Sequence, residues 1–108
     1  MSHHNNAVIQ GRIVFEPEIK VVSDRYTVGK FRLAFSSGKG TSYIDVDVWD
    51  KNMLELVREL SKGQEVKVQG ELRSREWMNP SGEKRNKISL TAFTLEMAAT
   101  GFQGSISE

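Results

Sequence analysis

Apolar and polar residues alternate along most of this chain. The run Val8–Phe15 puts Ile9, Ile13 and Phe15 on one parity and Gln10 and Arg12 on the other. That is the period of a half-buried strand, with Gly11 marking a bend or bulge and Pro17 the end. From Tyr26 to Ser36 the pattern predicts Phe31, Leu33 and Phe35 inward and Lys30 and Arg32 outward. Ser37-Gly38-Lys39-Gly40 is a hairpin turn rather than a phosphate cradle, because no helix follows it. A third strand, Thr41 to Trp49, pairs back.

The period then changes. Met53, Leu56, Val57 and Leu60 fall at the i, i+3, i+4, i+7 spacing of a helix face. Asn52 with Glu55 resembles a capping box, and Gly63 supplies the stop. Strand period resumes with Val66, Val68 and Leu72 inward. After the turn Asn79-Pro80-Ser81-Gly82, a fifth strand runs through Ile88, Leu90 and Ala92 to about Leu95. Three strands, one helix and two strands predict an all-β fold. Specifically, they predict a five-stranded Greek-key OB-fold barrel with its one α-helix between strands 3 and 4, an architecture that binds oligonucleotides or oligosaccharides. Element order does not choose between those ligands.

Composition narrows the chemistry. The 108 residues suffice for one domain, expected over residues 6–97, with a disordered N-terminus at 1–5 and a flexible C-terminal end at 98–108. The absence of cysteine removes disulfides, thiolate catalysis and cysteine zinc sites. His3 and His4 alone leave most of a coordination sphere unfilled, so neither a metal nor another cofactor is expected. No apolar run is long enough to span a bilayer and no signal pattern opens the chain, so the expectation is a cytoplasmic protein without membrane contact. A net charge of +1 says little about partners; the placement of the charges says more.

Strand parity supplies that placement. With Ile44, Val46 and Val48 inward, Tyr43, Asp45, Asp47 and Trp49 face out. With Val66, Val68 and Leu72 inward, Lys67, Arg73, Arg75 and Trp77 face out, and Lys30 and Arg32 join them. Large exposed aromatics need a reason. Stacking on unpaired bases is one, with basic neighbours neutralising phosphates between stacked bases. Two other readings stand beside it, in which Trp49 and Trp77 cover a partly open barrel or pack in a subunit interface. Asp45 and Asp47 run against a phosphate-binding face unless they pair with Lys30 or Arg32. A metal-dependent nuclease site at Asp45, Asp47 and Asp50 is not supported, because Asp50 has the opposite parity and no partner motif is visible.

Several stretches taken in order resemble the bacterial single-stranded DNA-binding protein family, over about residues 5–97. Gly11-Arg12-Ile13 with Glu16-Pro17-Glu18 is similar to the family's Gly-x-Leu and Asp-Pro-Glu. Phe31-Arg32-Leu33-Ala34 matches its second strand, and Tyr43-Ile44-Asp45-Val46 with Trp49-Asp50-Lys51 its third strand and the entry to its helix. The closest match runs from Lys62-Gly63 through Gly70-Glu71-Leu72-Arg73-Ser74-Arg75-Glu76-Trp77 towards Gly82 and Arg85.

The resemblance implies a non-enzymatic protein that binds and coats single-stranded DNA in replication, recombination and repair, with little sequence specificity. It implies stacking on Tyr43, Trp49 and Trp77 and basic contacts from Lys62, Arg73, Arg75 and Arg85, to which parity adds Lys30 and Arg32. It also implies a homotetramer, with a dimer as the fallback, associated with the nucleoid. A scaffold like the primosomal replication protein is the alternative, but such proteins lack most of the stacking tryptophans. The chain departs from the family pattern in its short second hairpin, which lacks a further Trp, and at Asp47, where an apolar or neutral residue is commoner. Nor does it show, by Glu108, the acidic tip ending in Pro-Phe that recruits replication and repair partners; a truncated chain and a tail-less member both fit.

Overall fold

The computed structural model describes residues 3–97. Along them run β1 (Ala7–Ile13), β2 (Glu18–Val21), β3 (Thr27–Ser37), β4 (Gly40–Val48), α1 (Lys51–Glu59), β5 (Glu65–Met78) and β6 (Lys84–Met97). The strands are hydrogen-bonded in the order β1-β5-β6-β4-β3-β2, and β1 also pairs with β3. The sheet therefore closes into a barrel of β1, β5, β6, β4 and β3. Ladders are antiparallel except β4–β6, which is parallel and needs a crossover connection, supplied by α1 and β5. This is the OB-fold arrangement that the element order predicts, with the helix between the third and fourth barrel strands.

The element that the periodicity misses is β2. One edge of β3 is taken by β4 along its length. The other is shared, with β2 covering Thr27 to Lys30 and β1 covering Leu33 and Ala34. β1 and β2 thus act as one strand interrupted near Pro17, whose missing N–H cannot join a ladder. At 4 residues, β2 is too short for alternation to declare itself.

Within the barrel the parity expectations hold. Ile13, Phe31, Leu33, Val46, Val48, Val66, Val68 and Leu90 are buried, and α1 closes one end with Leu54 and Val57, followed by Leu60 at its C-cap. Met53 and Leu56, expected on the same helical face as Val57 and Leu60, are only partly buried and pack against the core cluster. The cap is Asp50 rather than Asn52. Its Oδ1 accepts from the backbone N–H of Asn52 at 2.7 Å and of Met53 at 3.3 Å, satisfying donors that the first turn leaves open.

Four expected core residues are not in the core. Phe35, near the end of β3, is only half-buried and stands outside the core cluster. Phe15 lies beyond the end of β1 and is exposed. Leu72 is 40% exposed although its cross-strand partner Leu90 is fully buried, and Ile88 is exposed as well. The cause is topological. β5 pairs with β1 only as far as Gly70, and β6 pairs with β4 only at Ser89–Thr91. Beyond those points, among the described residues, the two strands form ladders only with each other, as an arm that leaves the barrel. Parity identifies the side of a ribbon, but not what lies behind it.

Two glycines permit close backbone approach. A Cβ on Gly11 would collide with the Ala34 carbonyl, where β1 comes against β3 to close the barrel. A Cβ on Gly70 would collide with the Thr91 carbonyl. There Gln69 pairs with Thr94 but Gly70 pairs with Ala92, so Phe93 is an extra residue on β6, a β-bulge. The bulge also explains how Leu90, Ala92 and Leu95 can all be buried although their spacing breaks the two-residue period.

Ahead of β1, the Asn5 side chain donates to the Leu72 carbonyl and accepts from the Leu72 N–H, each at 2.8 Å, within the stretch expected to be disordered. The flexible end expected at 98–108 lies outside the described residues. Among the described residues, no helix is long and apolar enough to cross a membrane.

Candidate functional site

Directly paired residues in a sheet point to the same face, so the register alone assembles a surface. One row runs Lys30, Asp47, Thr91, Glu71 across β3, β4, β6 and β5. The next runs Arg32, Asp45, Ser89, Arg73. Towards the arm, Ala34 pairs with Tyr43, Lys87 with Arg75 and Arg85 with Trp77. Eight of the nine residues singled out from the sequence therefore share one outer face: Tyr43, Trp49, Trp77, Lys30, Arg32, Arg73, Arg75 and Arg85. Lys62 is the exception. It stands in the α1–β5 loop, where its backbone N–H donates to Glu16 Oε1 at 3.3 Å.

The three aromatic rings are available to a ligand: Tyr43 is 60% exposed, Trp49 44% and Trp77 42%. Neither tryptophan plugs an open barrel, since the β1–β3 pairing closes it. Trp77 is carried to the end of the arm, and a tight turn holds that end in shape. Asn79 Oδ1 accepts from the N–H of Ser81 at 3.0 Å and of Glu83 at 2.9 Å, and Gly82 takes the positive φ of 82° that the return requires. Trp49 follows the last residue of β4 and precedes Asp50, the N-cap of α1. It lines a concavity of about 450 Å³ with Arg73, Thr91 and Phe93.

The carboxylates on this face are held by its cations. Lys30 Nζ donates to Asp47 Oδ1 at 2.9 Å, and Arg32 Nε donates to Asp45 Oδ1 at 2.7 Å, each pair directly across the β3–β4 ladder. Lys87 reaches the second oxygen of Asp45 from the other side. Partial burial works against charge on Asp45. The hydrogen bonds from Arg32 and Lys87, together with their positive charges, outweigh it and hold the carboxyl below the usual carboxylate range. The same hydrogen bond and charge raise the Arg32 pKa. This is the pairing that the sequence required if a phosphate-binding face was to carry Asp45 and Asp47.

The remaining cations differ in freedom. Arg73 pairs with Glu71 at 2.7 Å and Arg85 with Glu83 at 3.2 Å. Arg75 contacts no carboxylate among the described residues; its guanidinium carbon lies over the Trp77 ring. Exposed rings beside partly unmatched cations can stack on the flat faces of unpaired bases while neutralising the phosphates between them. Among the described residues, no group of three or more His, Asp or Glu side chains is placed to hold a metal ion.

The sequence reading missed two members of the face, Lys87 and Phe93. Both have the parity opposite to Leu90 and Ala92, which was the available signal.

Comparison with known proteins gives the same direction. The model of the single-strand binding protein family matches residues 4–98. The single-stranded DNA-binding protein of Treponema pallidum is 24% identical over 113 residues, an alignment covering 97% of this chain and 64% of that one. The protein of that name from Corynebacterium glutamicum is 30% identical over 98 residues, covering 81% of this chain and 44% of its own length. The chain thus spans less than two thirds of either relative. A solved structure described as a Plasmodium falciparum SSB complex with ssDNA superposes with a TM-score of 0.83 at 24% identity, covering 92% of this chain and 98% of that one, which establishes the shared fold. The chain belongs to the single-strand binding protein family.

Proposed function

We propose that this protein binds and coats single-stranded DNA with little sequence preference. Bases stack on Tyr43, Trp49 and Trp77, while Arg75 and Arg85, the latter paired only loosely with an exposed Glu83, neutralise the passing phosphates. The observation that carries the reading is the continuous face on which cross-strand register collects three exposed rings and these cations. Each stacked base contributes about 1–3 kcal/mol, and stacking tolerates any base because every base has a π-face. Stacked rings and arginines directed at phosphates carry no base-edge information, so sequence discrimination is weak. Lys30, Arg32, Lys87 and Arg73 contribute less, because Asp47, Asp45 and Glu71 already match their charge. Lys62 lies off this face and meets only a strand that wraps beyond it.

Family membership and the names of the relatives support the same reading. They also support roles in replication, recombination and repair, a cytoplasmic, nucleoid-associated location and binding without catalysis. A homotetramer would lengthen the strand path, since one chain offers only a short face; light scattering coupled to size exclusion distinguishes it from a dimer or a 12.2 kDa monomer.

The test of the function is a titration with oligo-dT and with a blunt duplex of equal length, followed by tryptophan fluorescence. Saturable quenching by the single strand, with little by the duplex, is the expected result. Equal responses to both, or none to either, would overturn it. A labelled strand incubated with the protein and magnesium should stay intact.

A further inference from the structure

Phe93 is a large apolar side chain that the barrel does not use: it is 55% exposed and points away from the core. Its position is built by the sequence around it. Gly70, lacking a Cβ, lets β5 come against the Thr91 carbonyl, and the extra residue accommodated on β6 at that point is Phe93. Bulges re-aim side chains in this way. The parallel β4–β6 register pairs Asp45 with Ser89 and Asp47 with Thr91, and Trp49 and Phe93 each follow two residues beyond the last of these pairs. Both rings line the concavity of about 450 Å³ at the start of α1, with Arg73 and Thr91 beside them.

We propose that this concavity is a nucleobase subsite in which Phe93 supplies a second aromatic surface beside Trp49. The inference rests on the reading of the face as a single-strand binder and adds to it a residue and a ligand class. Size fits, since about 450 Å³ is within the range of small-molecule sites and accommodates a base with part of its sugar. Charge selects the base rather than the phosphate. Asp50 lines the concavity, its carboxylate held there by its cap bonds to Asn52 and Met53, and Arg73 is matched by Glu71. A phosphate would meet that carboxylate, whereas an uncharged ring would meet two aromatic side chains and Met53.

The test compares Phe93→Ala, Phe93→Leu and Phe93→Tyr with the unaltered protein in oligo-dT titrations, with thermal melting and molecular mass measured on each. Alanine and leucine should each weaken binding about fivefold or more, the lower end of the loss of one stack. Tyrosine should bind as the unaltered protein does, and all three should keep its melting point and mass. Leucine keeps the apolar bulk without the π-face, so wild-type binding by Phe93→Leu would overturn the stacking role. Unchanged affinity in Phe93→Ala, or weakening accompanied by a changed mass or melting point, would overturn the subsite and mark Phe93 as an interface or structural residue. The function of the face would stand in either case. Absence of oligo-dT binding by the unaltered protein would remove that function, and the subsite with it.

Discussion

The guanidinium carbon of Arg75 lies 5.3 Å from the centre of the Trp77 ring. The two side chains are two residues apart on the same outward edge of β5, beyond the point where the strand has left the barrel. The contact holds a cation beside a ring that is 42% exposed, so a base stacked on Trp77, as proposed, would have a phosphate partner beside it.

Arg75→Ala tests that pairing. Log affinity for oligo-dT should fall linearly with log salt, and the slope should shrink by about 0.7 when one phosphate contact is removed. Binding should weaken alike for oligo-dT and mixed sequences. An unchanged slope would show that Arg75 touches no phosphate.

Asp47→Asn should tighten binding. It removes a charge that repels phosphates and releases Lys30, now held at 2.9 Å. Half-exposed ion pairs of this kind contribute about 0–1 kcal/mol, so the gain should be no more than about fivefold. Weaker binding by Asp47→Asn would mean that the carboxylate orders the face rather than opposing the ligand.

Asp45 gives a pH dependence of known sign. Arg32 and Lys87 depress its folded pKa below the unfolded value of about 3.9. The ionised form therefore stabilises the fold above that value, and the contribution is lost as pH falls through the folded pKa. Melting temperatures between neutral pH and strong acid should fall less steeply for Asp45→Asn than for the unaltered protein, with the variant the less stable at neutral pH. Parallel curves would contradict this.

Much of the barrel could be read from the chain, because the period-2 rule works where both neighbours of a strand are present. Val46, Val48, Val66 and Val68 are buried as their parity requires. The same rule fails at Leu72 and Ile88, whose ribbon faces inward but has no barrel behind it. β2 stayed hidden because Pro17 splits one long strand into two pieces, the second too short to show a period. For the site, parity found the rings and most of the cations. It could not show that Lys30 and Arg32 spend their charge on Asp47 and Asp45, nor that Lys62 lies elsewhere, because both depend on register and loop path. Phe93 and Lys87 were within reach of the rule, since both have the parity opposite to Leu90 and Ala92.

Gly70→Ala probes the bulge that positions Phe93. The added methyl group would fall on the Thr91 carbonyl, which has no flexible end to yield. Overpacking of this kind costs about 1–3 kcal/mol or more, which for a domain of this size lowers the melting point by about 5 °C or more. A melting point equal to that of the unaltered protein would show that the two strands are not in such close contact.

The most direct test of the account is an oligo-dT titration of Trp77→Ala, with the melting curve of the same sample. Trp77 is 42% exposed near the end of the arm, so its truncation should leave melting and oligomeric state unchanged. Affinity should fall by the loss of one stack, about 1–3 kcal/mol, with Trp49 remaining as the fluorescent reporter. A structural tryptophan would behave in the opposite way, since truncating a buried one costs about 3–5 kcal/mol of stability. A collapsed melting point with unchanged affinity per folded molecule would show that this face is not where the strand binds.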